Sequence, residues 1–375
     1  MTISTRSRAR AATDDADDSA PNKRQKLEPQ EEAPALPAVQ SERDEALWFE
    51  DGSVVLAAGN KLFKVHAGVL RHHSTVFKEL LSAPALAALQ ERLDGCPVLR
   101  TEDNGTSLAQ LLRIIYDGGN SDWFNSKVRI DFRDLRAVAI IAAKYKVPEV
   151  LEEVRSRLRV FYPTDSLDSW RSVMFAEVDE QMTYGALTIR DQDSIAVVAL
   201  CRLLEMPDIL PIVLYECCSP ISAVLLVRGV IYDDEVVRLT EEDTVLCLRA
   251  RQSLIAETAR MYRAFTVTPR AGCRSPQTCA AKLERLLARA VDQDVLSDPS
   301  PLNQWVLFAT EECKSAGSEP CTLCAAALMD SLDNAAEDVW RKLGQIFGVA
   351  PWPPNSAGEQ QEGGGGSGSN VARAS

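Results

Sequence analysis

The first structured pattern in the chain is a pair of short apolar runs. Asp51-Gly52-Ser53 leads into Val54-Val55-Leu56-Ala57-Ala58, Gly59-Asn60 supplies a turn, and Leu62-Phe63-Lys64-Val65 follows. Two β-rich runs about a Gly/Asn turn predict a hairpin. The period then changes from two to 3.6. Val69, Leu70, His73, Val76, Phe77, Leu80 and Leu81 fall on one helical face, and Ser74 is placed to cap a second short helix within that stretch. Cys96–Arg100 predicts a short strand and Thr101–Gly105 a turn. Leu108, Leu111, Leu112 and Ile115 define the next amphipathic helix, which Asp117-Gly118-Gly119 ends. A helix pair follows, one carrying Leu135, Val138, Ala139 and Ala142, the other Val147, Val150, Leu151, Val154 and Leu158. Pro148 sits where proline is tolerated, in a first turn.

Beyond residue 162 the pattern is helical. From Ser166 to Phe265 no strand is expected. Ile195, Val198, Ala199 and Leu203 predict one apolar face, and Thr240-Glu241-Glu242-Asp243 reads as a capping-box-like start. The two ends lack this patterning. Residues 1–45 are rich in Ala, Pro, Asp, Glu, Arg and Ser, and Gly363 opens a GGGGSGS run. Both compositions predict disorder. The expected organisation is a tail with a basic cluster (1–45), an α+β domain (46–162), a mainly α-helical C-terminal domain (163–352) and a flexible tail (353–375).

Composition narrows the function. The chain has 375 residues, 46% hydrophobic and 25% charged, a globular balance. Its formal net charge of -13 and pI near 4.9 argue against a broad phosphate-binding surface, so nucleic acid is not the expected main partner. The N-terminal residues lead into Ala, Thr and Asp rather than an apolar stretch, and no apolar run of membrane-spanning length occurs. The expectation is a non-secreted, non-membrane chain. The compact basic cluster Lys23, Arg24, Lys26, with Arg6, Arg8 and Arg10 upstream, suits an acidic import-receptor groove and makes nuclear or nucleocytoplasmic location the expectation.

The chain has three histidines, His66, His72 and His73. That leaves no Cys2His2 finger in the C-terminal half and little material for a His-assisted nucleophile. No nucleophile elbow, phosphate loop or dinucleotide fingerprint occurs, so no enzyme activity and no small-molecule substrate are expected. Of ten cysteines, Cys96, Cys201, Cys217, Cys218 and Cys247 sit in apolar stretches and read as small core residues. The others include Cys273-x5-Cys279 and Cys321-x2-Cys324, each pair at a helix start, with Cys313 as a spare. Helix N-termini stabilise thiolates, and four thiolates from two such corners can hold structural zinc. The plainer alternative is four unliganded residues.

Five pieces in order resemble the BTB/POZ signature: Asp51-Gly52-Ser53-Val54-Val55-Leu56, Phe63-Lys64-Val65-His66-Ala67-Gly68-Val69-Leu70, His73-Ser74-Thr75-Val76-Phe77, Leu111-Leu112-Arg113-Ile114-Ile115-Tyr116-Asp117-Gly118 and Ala142-Ala143-Lys144-Tyr145-Lys146-Val147. The resemblance covers residues 48–160. The final run Phe347-Gly348-Val349-Ala350-Pro351-Trp352 is similar to the BTB group of mushroom-forming fungi. The resemblance implies a short mixed sheet flanked by helices and a protein-binding role. It implies that His66 is structural, its ring filling the strand–helix junction with one nitrogen bonded to backbone. Ser53 and Ala67 replace the charged pair that family members often bury in a strand-swapped dimer. Leu89-Gln90-Glu91 matches the hydrophobic-x-Glu step, so Leu89 and Glu91 are the expected cullin-contacting residues. Three roles stay open: cullin adaptor, nuclear scaffold or transcription cofactor, and self-association. DNA binding through the cysteine cluster is the rival from another class, opposed by the acids that alternate with Arg270, Arg274, Lys282, Arg285, Arg289 and Lys314.

Overall fold

The computed structural model describes residues 41–174, 187–219, 221–232, 235–266, 269–314, 320–349 and 351–354, apart from the side chains of Thr266, Gln304, Val306, Cys313 and Lys314. The N-terminal part contains β1 (Glu42–Trp48), β2 (Val54–Ala58), β3 (Lys61–Val65), α1 (Ala67–His73), α2 (Thr75–Leu80), α3 (Ala83–Ala88), β4 (Arg92–Leu93), β5 (Cys96–Thr101), α4 (Gly105–Asp117), β6 (Ile130–Asp131), α5 (Phe132–Tyr145) and α6 (Pro148–Phe161). It continues with α7 (Leu167–Met174), β7 (Leu187–Thr188), α8 (Ser194–Leu203), α9 (Leu210–Cys218), α10 (Ala223–Arg228), β8 (Val230–Tyr232), β9 (Glu235–Val237), α11 (Glu241–Arg260), α12 (Pro276–Asp292), α13 (Gln304–Lys314) and α14 (Thr322–Phe347). The fold is α+β with a small mixed sheet and a mostly helical C-terminal region.

The five-stranded sheet has the order β1-β3-β2-β5-β4. The hairpin β2–β3 is antiparallel, and β1 and β5 add in parallel to β3 and β2. Every residue of β2 is buried because both of its faces are covered. Val54, Leu56 and Ala58 face the main core, while Val55 and Ala57 pack with Cys96 and Val98 on the other side. Gly59 turns the hairpin at φ +54, a conformation glycine adopts without a Cβ penalty. Gly105 is required for a different reason: a Cβ there would lie 2.6 Å from the Ala58 carbonyl oxygen, so glycine lets α4 start against the sheet.

Helix boundaries follow capping chemistry. The Ser74 hydroxyl accepts from the Phe77 N–H at 2.9 Å and donates to the Tyr145 carbonyl, joining α2 to the end of α5. Asn104 caps α4 through the N–H groups of Thr106 and Ser107. Pro148 opens α6 after an extended Val147. Buried polar groups close on one another. Asp103 accepts from Lys144 and from the Tyr145 hydroxyl, each at 2.5 Å. The Arg157 guanidinium donates to the carbonyls of Trp123, Asn125 and Val128 and pairs with Glu153 at 2.7 Å.

Four differences from the sequence reading have physical causes. Strand β1 starts at Glu42, inside the 1–45 stretch expected to be disordered, residues 1–40 of which lie outside the described residues. Strand β1 carries charge on its solvent side, as edge strands do, while Leu47 is buried. Arg113 of α4 holds it through Asp44 at 2.7 Å, and within the strand Arg43 lies over the Trp48 ring at 4.4 Å. Second, the stretch expected to be wholly helical contains β7 and the hairpin β8–β9, built from the β-branched Val230, Ile231, Val236 and Val237. Third, α8 lies between neighbouring helices and buries Ala196, Val197, Leu200 and Cys201 as well as Ile195 and Val198. Ala199 and Leu203 face outward. Fourth, Leu80 is exposed while Leu70, Phe77 and Leu81 form the buried face.

The core does not stop at residue 162. Tyr162, Leu167 and Trp170 belong to one buried cluster reaching from Leu47 to Trp352. Trp170 contacts Tyr215 and Trp340, and Trp352 donates its ring N–H to the Trp340 carbonyl at 2.8 Å. The expected division between 46–162 and 163–352 is thus a change of architecture within continuous packing. Cys201, Cys217, Cys218 and Cys247 are buried in it, Cys96 is buried on the other face of the sheet, and burial pushes the Cys201 thiol up to about 12. Among the described residues no helix is long and apolar enough to cross a membrane.

Candidate metal centre and partner surfaces

The four cysteines singled out by spacing meet in space. A turn closed by the Cys273 N–H on the Arg270 carbonyl at 2.9 Å, with Gly272 at φ +96, presents Cys273 ahead of α12. Cys279 lies in the first turn of α12, its N–H on the Ser275 carbonyl. Cys321 is the extended N-cap of α14, and Cys324 is in that helix's first turn. Helix starts are used because their early N–H groups have no intrahelical partner.

The sulfurs of Cys273, Cys279, Cys321 and Cys324 all lie within 4.8 Å of one another. Cys273 is 3.6 Å from Cys279 and 3.7 Å from Cys321. A tetrahedral zinc–thiolate centre with bonds of about 2.3 Å has sulfur–sulfur edges of ~3.8 Å. A disulfide needs about 2.05 Å. The tetrad therefore has metal-site spacing and holds free thiols.

Nearby backbone N–H groups favour charge on the sulfurs: that of Ser275 at Cys273, of Cys324 at Cys321 and of Arg270 at Cys324. The Cys321 N–H lies 3.4 Å from the Cys279 sulfur. These bonds suit negative sulfur, yet four thiolates crowd one another. The Cys324 N–H brings Cys321 down to about 7. The Ser275 N–H favours the Cys273 thiolate, but lost solvation and the neighbouring sulfurs outweigh it and hold that thiol up at about 12. Lost solvation likewise raises Cys324. A dication offsets the repulsion that four thiolates meet at this spacing. Cys279 and Cys324 are buried, whereas Cys273 and Cys321 are half-buried. The side chain of Cys313 is outside the described residues.

The other expected site residues are placed differently. Leu89 caps the C-terminus of α3 and is half-buried. Glu91 is exposed and receives both arms of Arg100 at 2.6 and 2.7 Å, which hold its carboxyl below the usual range. Lys23, Arg24 and Lys26 lie outside the described residues. His66 sits at the strand–helix junction, but its ring nitrogens meet side chains rather than backbone: Asp51 at 3.1 Å and the Tyr116 hydroxyl at 3.0 Å. That hydroxyl also accepts the His66 backbone N–H at 2.7 Å.

One surface was absent from the sequence reading. The ends of α1 and α4 and the start of α6 enclose an apolar cleft of about 290 Å³, lined by Ile114, Ile115, Phe124, Val147 and Val150. Gly118 and Gly119 form part of its wall, and His73 and Glu149 bring polar groups to its lining. Its one trace in the sequence is the Asp117-Gly118-Gly119 break directly after an apolar helix.

A scan against protein-family models, a search of curated proteins and a search of solved structures each found no match.

Proposed function

We propose that this chain is a non-catalytic protein-interaction module of the BTB/POZ type, acting as an adaptor or scaffold. The observation that carries the reading is the apolar cleft between α1, α4 and α6. At about 290 Å³ it falls at or below the small end of small-molecule pockets, about 300–1,000 Å³. It suits one or two apolar side chains of a partner protein, the anchoring arrangement that dominates interface energetics. The strand and helix order from β2 to α6, together with the motif pieces that it carries, supports the family reading. The engagement of Glu91 by Arg100 makes the Leu89/Glu91 step the weaker partner contact, because a cullin would have to displace an existing bidentate pair.

The cysteine tetrad is read as a structural zinc site. Cys273, Cys279, Cys321 and Cys324 fill four positions and leave none open for substrate. When bound, zinc would supply positive charge that holds four thiols deprotonated; the chain's part is to aim four N–H groups at them. This favours a second reading, a nuclear cofactor whose C-terminal region is zinc-stabilised and whose import uses Lys23, Arg24 and Lys26. The test is affinity capture of the full chain with mass spectrometry beside a Gly119→Leu variant. Gly119 lines the cleft and a Cβ there meets nothing within 4 Å, so the substitution adds an apolar side chain to the cleft wall with no clash at its Cβ. Partners lost on substitution with unchanged thermal stability support the reading. A partner set that ignores the plug removes the cleft from it.

A further inference from the structure

We propose that the cysteine tetrad is also a site of reversible oxidation, at which a hydroperoxide joins Cys273 to Cys321 as a disulfide and releases the bound metal. The inference rests on the zinc reading above and assigns its regulation. It is carried by the inequality of the four sulfurs. Cys279 and Cys324 are buried inside the first turns of α12 and α14, while Cys273 and Cys321 are half-buried at the solvent side. The two accessible sulfurs are 3.7 Å apart and belong to separate segments, the turn before α12 and the N-cap of α14. Closing that gap to about 2.05 Å asks for side-chain rotation and a small shift of the turn. Cys279 is 3.6 Å from Cys273 but is shielded, and thiol oxidation follows access as well as thiolate character.

The chemistry balances with the peroxide as the only added reagent. The Cys321 thiolate, at a helix N-terminus, attacks one peroxide oxygen. The O–O bond breaks, and the departing oxygen takes a proton and leaves as an alcohol or water. Cys321 is then a sulfenic acid. The Cys273 thiolate attacks its sulfur, the S–S bond forms, and hydroxide leaves and is protonated to water. Two electrons pass from the two sulfurs to the peroxide. The metal loses two of its four ligands, and the remaining pair, Cys279 and Cys324, no longer encloses it. The new bond still ties the turn to α14, so a thiol reductant regenerates the site in place.

The test uses the full chain loaded with zinc, its metal content measured first and a parallel sample loaded with cobalt(II) to read thiolate charge-transfer bands. Hydrogen peroxide is added stepwise while a colorimetric chelator reports free zinc and mass spectrometry maps the disulfides. The expected result is one zinc released for each pair of thiols lost, with a Cys273–Cys321 cross-link and full reloading after a dithiol reductant and zinc. A Cys313→Ser variant should behave identically, which excludes Cys313 as the resolving thiol. A chain that takes up neither zinc nor cobalt sinks the metal reading and the switch together. A loaded chain that keeps its zinc while other thiols oxidise, or whose first disulfide uses Cys279 or Cys324, sinks the switch alone.

Discussion

The sheet region and the cysteine corner are ordered by different physics. In the sheet region, from β1 to α6, the buried groups complete one another. Val54, Leu56, Phe63 and Phe77 are fully buried, Asp103 closes on Lys144 and Tyr145, and Arg157 closes on three carbonyls. In the cysteine corner the N–H groups converge on four sulfurs that repel one another once ionised. On the zinc proposal, its order depends on a cation. The first region is therefore suited to be a constant platform and the second to respond to its surroundings.

The comparison breaks most visibly at Phe77. Its ring is fully buried and stacks on Tyr145 with centroids 4.1 Å apart. Phe77→Ala is expected to cost about 3–5 kcal/mol, read as a lower denaturation midpoint, with and without zinc. Dependence on zinc would mean that the two regions are not separable in this way. Next in size is removal of the metal. By comparison with a cross-link closing a loop, stripping zinc is expected to cost about 2–4 kcal/mol. Hydrogen exchange should rise at the starts of α12 and α14 and stay constant in β2; a uniform rise would contradict a local role for the tetrad.

A smaller effect sharpens the platform side. Burial alone would raise Asp103, but its hydrogen bonds from Lys144 and Tyr145 outweigh that and hold the carboxyl below its usual 3.8. A carboxyl depressed in the folded state contributes stability above its unfolded value, and that contribution is lost as pH falls through the folded one. Asp103→Asn should lower stability at neutral pH by about 1–3 kcal/mol and flatten the acid limb of the stability profile below pH 3.8. An unchanged acid limb would assign the acid sensitivity to other carboxylates.

What was legible in the sequence was what local chemistry decides. The β2–β3 hairpin lies where its Gly59-Asn60 turn and its two apolar runs put it, and Ser74 and Pro148 mark helix starts as their side chains require. The four cysteines were legible because helix-start spacing already limits where their sulfurs point. Features decided by distant partners were not. Strand β1 reads as a charged tail because its charges belong to a solvent-facing edge, and only Leu47 and the pairing with β3 reveal it. Helix α8 shows no single apolar face because neighbours cover most of its circumference. The cleft was hidden because Ile115 and Val150 read as ordinary core, and only the fold brings them together beside Gly118 and Gly119.

The smallest expected effect concerns Leu89 and Glu91. Glu91 is exposed and its partner Arg100 is largely exposed too, so the pair is well solvated and adds little to folding. Leu89→Ala/Glu91→Ala should leave the thermal midpoint unchanged and free Arg100. If a cullin uses the hydrophobic-x-Glu step, the double variant loses the cullin from affinity capture while partners that need the cleft remain. If the cleft is the anchor, Gly119→Leu removes the partners and the double variant does not. The two substitutions thus separate two surfaces of the same platform, and loss of one cullin in both variants would mean that a single partner spans them.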